Sequence, residues 1–458
     1  MKELKVKDII KVTGGQLITG KEEEICEEFS RDTRTIEKGD IYLGIKGEKF
    51  DGNAFWKDAL EKGAKGVIIQ DIEINEEEKK KYSDRIIIKV KNSLEALYEI
   101  AKYKRSLYDI PVIAITGSVG KTSTKDIIAS VLSQKYKTLK TEGNKNNNIG
   151  LPLTILKLRD HEAMVLEMGM NHFGEISLLT NIAKPTLAVM TNIGTSHIGN
   201  LGSRENILKA KMEILEGMKE AKIVVNIDND LLKTWYEANK NNVKVHTYGI
   251  QNKSEINATK IKLREENSEF IAKTENEEIK IKVPVGGEHF VYNALCAVEV
   301  GKILNISNEA IERGIEKFEL TKKRMDIKKL ENGAILINST YNASYEAVKA
   351  SIEFLASYRG TRKIAVLGDM LELGEYSIEL HQKVGKDIAQ NDIDILMCTG
   401  NFAKYIEEKA KENKKVKTFL YNNKEEILQK LKEILQDGDV VLVKASHAMN
   451  FFEICQKL

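Results

Sequence analysis

Short runs rich in β-branched and aliphatic residues punctuate the chain. PVIAIT (111–116), AMVLEMG (163–169), LAVMTNI (187–193) and KIVVNID (222–228) have the length and texture of buried strands. Stretches with helical spacing, such as KDIIASVLSQ (125–134), lie between them, and this alternation predicts a parallel α/β sheet. The pattern restarts after about residue 320. AILINST, KIAVLGD, DILMCTG, VKTFLY and VVLVKAS read as strands, with YEAVKASIEFLASY and KEEILQKLKEIL as helices between them. That sequence of elements predicts a Rossmann-like unit whose strand order cannot be read from sequence. Before residue 107, IYLGIKG, GVIIQ and RIIIKV read as strands, and the region closes on the amphipathic run SLEALYEIAKYKRSLYD. Residues from about 252 to 282 are polar and strand-like, as in an antiparallel edge or flap.

Length agrees with this division. At roughly 150 residues per domain, 458 residues make about three domains. The expected boundaries are 1–107, 108–320 and 321–458. The fold class is α/β, with a central parallel-sheet phosphate-loop domain between an N-terminal α/β domain and a C-terminal Rossmann-like one.

Charge narrows the function classes. The formal net charge of +2 gives no single-sign field of the kind that binds nucleic acid or a membrane surface. MKELKVKDIIKVTGG is too charged for a secretory signal, and no window approaches the roughly 20 apolar residues of a spanning helix. Cys26, Cys296, Cys398 and Cys455 lack paired metal spacing and read as scattered thiols in a reducing, cytoplasmic compartment.

The most specific motif is Thr116-Gly117-Ser118-Val119-Gly120-Lys121-Thr122-Ser123. It follows an apolar strand and opens a helix, which is the context of a phosphate loop. Glycines let backbone N–H groups approach phosphate oxygens, and the helix N-terminus adds favourable partial charge. Lys121 is expected to neutralise the β/γ-phosphates and the Thr122 hydroxyl to ligate Mg²⁺. Ile115 stands where the usual spacing has an earlier glycine, so the loop is a shortened variant. Glu167 ends a hydrophobic strand on the same expected edge, a position suited to holding Mg²⁺ or to being an ordinary strand-end acid. His197 follows the next strand and Lys211 lies on the helix beyond. Taken singly, they read as a structural histidine and a solvated surface lysine.

In the order TGSVGKTS, TEGNKNNNIGLPLT, LEMGMNHFGEI, TNIGTSHIGNLGSRENILKAKMEI and GGEHFVYNALCAV, the chain resembles the Mur ligase family. SRDTRTIEKGDIYLGIKGEKFDG and LGDMLELGEYSIELHQKVG resemble the members that add D-alanyl-D-alanine to a UDP-muramyl-tripeptide in peptidoglycan precursor synthesis. The resemblance implies an ATP-dependent ligase with a uridine-nucleotide domain, a central ATPase domain and a C-terminal domain for the incoming amine. It implies two Mg²⁺ ions held by Thr122, Glu167 and His197, with Lys211 as a carbamate. Gly117, Ser118, Val119, Gly120, Lys121, Thr122, Ser123 and Asn293 would contact the nucleotide, and Arg324 would reach its phosphates from the C-terminal domain. Ser30, Thr33, Arg34 and Lys46 match positions around the uridine diphosphate, and Thr141, Asn144, Asn146 and Asn147 match the loop facing the muramyl peptide; turn and capping roles remain open for Ser30 and the asparagines. A monomer is expected.

Three departures stand out. Asn338-Ser339 replaces the aspartates usual before Tyr-Asn-Ala, Tyr345 stands where a proline is common, and Lys444-Ala445-Ser446-His447 replaces a motif ending in arginine. His447 is expected near the acceptor dipeptide, contacting it weakly. Two other readings fit a phosphate loop: a folyl-polyglutamate-type ligase, and a non-catalytic nucleotide-binding paralogue. The N-terminal region argues against the first, and the intact Lys121, Thr122, Glu167, His197 and Lys211 against the second.

Overall fold

The computed structural model describes residues 2–47, 50–321 and 324–458. The motif spanning 30–52 includes residues 48 and 49, and the expected boundary at 320–321 abuts 322 and 323; these four lie outside the described residues.

Three sheets follow one another along the chain. The first holds β1 (Gln16–Thr19), β2 (Phe29–Ser30), β3 (Ile41–Leu43), β4 (Gly66–Ile69) and β5 (Ile86–Lys89) in the order β1-β5-β4-β3-β2. Only β1 runs antiparallel to its neighbour. β3 and β4 are buried along their whole length, as strands covered on both faces must be.

The central sheet has nine strands: β6 (Val112–Thr116), β7 (Thr138–Lys140), β8 (Ala163–Glu167), β9 (Leu187–Met190), β10 (Lys222–Asn226), β11 (Lys244–Gly249), β12 (Ile256–Leu263), β13 (Ser268–Lys273) and β14 (Glu278–Val283). Their order is β14-β13-β12-β11-β10-β9-β6-β8-β7. β6 to β12 are parallel, and β12-β13-β14 form the antiparallel edge that the polar, alternating sequence suggests. In β14 exposed and buried residues alternate strictly, so one face is solvated. β6 lies between β8 and β9. The chain therefore passes over β6 between those two strands, and the carboxyl end of β6 is a topological switch point, where open α/β sheets bind ligands.

The C-terminal sheet contains β15 (Asp326–Lys329), β16 (Ile335–Asn338), β17 (Arg362–Gly368), β18 (Ile395–Thr399), β19 (Lys417–Leu420) and β20 (Asp439–Lys444), in the order β15-β16-β20-β17-β18-β19. All pairs are parallel except β15 with β16. β15 escapes a reading by hydrophobic pattern because three of its four residues, Asp326, Lys328 and Lys329, are charged and exposed. No helix among the described residues is long and apolar enough to cross a membrane.

Candidate active site

The apolar run Val112–Thr116 is wholly buried, and the chain turns sharply at its end. Gly117 has φ +147°, and a Cβ there would fall 2.0 Å from Thr191 Oγ1, so no side chain fits. Gly120, at φ +81°, caps the helix Lys121–Leu132. The Lys121 ammonium folds back to donate to the carbonyls of Gly117 (2.7 Å) and Ser118 (3.2 Å). Its pKa is lowered by burial first, opposed by the Glu167 carboxylate and helped by Arg324.

The loop after β9 cradles this turn. Ser118 N–H donates to Asn192 O (3.0 Å), Val119 N–H to Asn192 Oδ1 (3.0 Å), and Thr191 Oγ1 to Val119 O (2.7 Å). Sequence reasoning missed Thr191, Asn192 and Ser196. Their position just past an apolar strand on the phosphate-loop edge was the available signal.

Glu167 pairs in register with Ile115, which brings its carboxylate beside the loop. One oxygen accepts from Thr122 Oγ1 and the other from Asn146 Nδ2, both at 2.8 Å. Asn144, Asn146 and Asn147 line the same cavity. Asn147 also caps the helix Gly150–Leu156 through the N–H groups of Ile149 and Gly150. Thr141 differs from expectation. It is fully buried, does not line the cavity, and its hydroxyl accepts from the Glu167 backbone N–H at 3.0 Å, so it fixes the end of β8.

The cavity is about 670 Å³, within the range of roughly 300–1,000 Å³ typical of small-molecule sites. Ser118–Ser123, Glu167, His197 and Asn293 line it from the central sheet, and Arg324, Ser339, Tyr341 and Lys444 from the C-terminal one. Arg324 stacks on Tyr341, its guanidinium carbon 3.7 Å from the ring centroid. Among the described residues, Arg324 Nε and Asn293 Nδ2 are buried donors without acceptors. Unsatisfied buried donors are costly in a native protein. Two from different domains on one cavity suit a ligand rich in acceptors. Asn293 Oδ1 accepts from Thr124 Oγ1 at 3.1 Å, which leaves the amide nitrogen free to face a ligand.

Lys444 is buried and donates to Ser339 Oγ and Asn342 O, each at 3.0 Å. Burial and then Arg324 push its pKa down to about 7. Ser339 thus offers the lysine a neutral acceptor. His447 is exposed outside the cavity lining, its ring 6.1 Å from that of Tyr341.

Lys211 is only 1% exposed, which overturns its reading as a solvated lysine. Burial and the charge of Lys121 drive its pKa far down, and no described carboxylate pairs with it. His197 lines the cavity with φ +66°, and its Nδ1 lies 2.8 Å from Glu372 Oε2 of the C-terminal half. The two halves also meet where Thr195 N–H and Oγ1 donate to the Glu346 carboxylate at 2.8 and 3.1 Å.

Ser30, Thr33, Arg34 and Lys46 are not part of this cavity. Ser30 ends β2 and Lys46 follows β3, so the parallel register brings them to one edge of the first sheet. Arg34 forks onto Asp32, Lys62 and then Thr33 hold the Asp58 carboxyl below its usual pKa, and Lys46 pairs loosely with Asp71 at 3.7 Å.

The buried Glu167 carboxylate and the Thr122 hydroxyl, with His197 on the same cavity, form a donor set of the kind that divalent cations take. An ammonium at Lys211 would repel such a cation; a carbamate there would not.

Comparisons with known proteins agree along the whole chain. Family models described as Mur ligase family, catalytic domain; Mur ligase middle domain; and Mur ligase, glutamate ligase domain match residues 29–105, 115–301 and 323–447. The UDP-N-acetylmuramoyl-tripeptide–D-alanyl-D-alanine ligase of Bacillus subtilis is 37% identical over 99% of this chain and 98% of its own. That of Synechocystis is 34% identical over 93% and 90%. The crystal structure of MurF from Acinetobacter baumannii superposes with a TM-score of 0.89 at 29% identity, covering 100% of this chain and 99% of that one. The MurF ligase of Thermotoga maritima in complex with ADP gives 0.81 at 28% identity, covering 94% and 96%. The chain belongs to the Mur ligase family.

Proposed function

We propose that this protein is the ATP-dependent ligase that joins D-alanyl-D-alanine to a UDP-N-acetylmuramoyl-tripeptide, releasing ADP and phosphate, and that it works as a cytoplasmic monomer. The observation that carries the reading is the phosphate loop facing two unsatisfied donors, Asn293 Nδ2 from its own domain and Arg324 Nε from the C-terminal one. Relatives named for this reaction match over nearly their full length.

A carboxylate is a poor electrophile, so one of its oxygens must first be made into a leaving group. The tripeptide carboxylate attacks the γ-phosphate of ATP in line, and an acyl-phosphate and ADP form. Loop N–H groups and the helix N-terminus hold the β/γ-phosphates, and Lys121 and Arg324 oppose the spreading negative charge. Thr122, Glu167 and His197 would hold Mg²⁺, which when bound would neutralise charge developing on the phosphates. Burial disfavours the charged form of Lys211; its free amine would add CO₂ and lose a proton, giving an anionic carbamate suited to complete that set. The dipeptide amine then attacks the acyl carbon, and a tetrahedral intermediate collapses to amide and phosphate.

The uridine diphosphate is assigned to the first sheet's edge at Ser30, Thr33, Arg34 and Lys46, and the muramyl peptide to Asn144, Asn146 and Asn147. The 1–107, 108–320 and 321–458 divisions carry these three tasks, with His447 beside the acceptor dipeptide. The test is phosphate release with UDP-muramyl-tripeptide, with and without D-alanyl-D-alanine. Release that requires both substrates is expected; steady turnover on a folate and glutamate instead would reject the reading.

A further inference from the structure

We propose that Glu372 is a positioning residue that orients His197 for the cation site, and that it does so through docking of the C-terminal sheet on the central one. The proposal rests on the ligase reading above.

A carboxylate only accepts hydrogen bonds. The 2.8 Å contact with Glu372 Oε2 therefore requires the proton on His197 Nδ1. In the neutral ring Nε2, on the far side, then keeps its lone pair, the form in which imidazole takes a cation. Metal-binding histidines are commonly held this way by a carboxylate behind them. Here that carboxylate comes from 175 residues away in the chain.

The contact is built on both sides. His197 (φ +66°) and Glu372 (φ +63°) are both non-glycine residues in the left-handed region. Such backbone persists only where the surroundings over-determine it. The surroundings are visible: Gly199 N–H donates to Glu372 O at 3.1 Å, and Tyr376 OH donates to Gly202 O at 2.7 Å. Between these bonds the backbones touch, since a Cβ on Gly199 would lie 2.5 Å from Gly374 N. The turn at 197–202 and the loop at 372–376 thus lock together. Glu372 is half-exposed, so its bond adds little to stability; its effect is on direction.

The experiment measures Mn²⁺ affinity by electron paramagnetic resonance with ADP present, alongside steady-state kinetics. Glu372→Ala is expected to weaken Mn²⁺ binding about tenfold or more and to lower kcat with little change in the KM for ATP. Glu372→Gln keeps an acceptor oxygen and should stay within about threefold of wild type. Tyr376→Phe loosens docking without touching the imidazole; it should weaken Mn²⁺ binding, and the double variant with Glu372→Ala should be no weaker than Glu372→Ala alone. Unchanged Mn²⁺ affinity in Glu372→Ala, equal losses in the Ala and Gln variants, or fully additive losses in the double variant would overturn the proposal. His197→Ala separates the two readings. If it loses Mn²⁺ affinity and Glu372→Ala does not, only the role of Glu372 falls. If neither loses it, His197 holds no cation and the assignment of the site falls as well.

Discussion

Thr122 Oγ1 donates to Glu167 Oε2 at 2.8 Å, so the first turn of the phosphate-loop helix is tied to the end of β8 across 45 residues of chain. The same carboxylate accepts from Asn146 on its other oxygen. Glu167→Gln keeps the shape and an acceptor for Thr122 but removes the charge. Phosphate release should fall roughly a hundredfold or more, as when a preorganised charge contact is lost, with little change in melting temperature. Turnover within about threefold of wild type would remove Glu167 from the catalytic machinery.

Lys211 gives a direct chemical prediction. Protein incubated with ¹³C-bicarbonate should show a carbamate carbon resonance that is absent in Lys211→Ala. That variant should be nearly inactive and partly rescued by small carboxylates filling the vacated anion position. A missing resonance in active wild-type protein would show that the lysine acts unmodified.

His246 bridges Glu255 at 2.9 Å and Glu299 at 3.0 Å, joining β11 to the loop before β12 and to the helix Glu288–Ile303. The Glu255 and then the Glu299 carboxylate, both beside Nδ1, raise its pKa from 6.5 to about 9 against the cost of burial. A pKa raised in the folded state means stability fully present below about 6.5 and lost as pH climbs through about 9. Melting temperatures of wild type and His246→Gln should therefore differ most near pH 6 and converge by about pH 9.5. A gap that stays constant with pH would refute the charged bridge.

Ser339 faces Lys444 with a neutral oxygen, and the lysine titrates near pH 7. Ser339→Asp would supply a carboxylate and should raise that pKa well above 7. The rate of Lys444 acetylation against pH, followed by peptide mass mapping, reads it directly: the midpoint should move up in the variant. An unmoved midpoint would show that Ser339 does not set the protonation of Lys444.

Strands such as β6 (Val112–Thr116) and β20 (Asp439–Lys444) were legible because a run buried on both faces is apolar over most of its length. β1 and β15 were not, since they are short edge strands with few or no buried residues. β11 was missed as well: it begins Lys-Val-His-Thr, and its first three residues are not buried. Lys211 illustrates a different limit. Its helix carries only three buried residues, and nothing local distinguishes a buried lysine from a solvated one.

The sequence by itself determined the phosphate loop, because strand, glycine turn and helix N-terminus are contiguous and each is encoded by its own few residues. It also determined the alternation of strands and helices and the antiparallel edge, which follow from local hydrophobic period. Only the tertiary structure decided which side chains meet. Strand order β9-β6-β8 sets Asn192 and Glu167 on either side of the loop, and docking of the C-terminal sheet brings Arg324, Glu346 and Glu372 to residues of the central domain. Hydrophobic periodicity states that a face is buried but not against what; the partner is fixed by pairing between segments 45 to 175 residues apart, for which no local residue pattern carries the information.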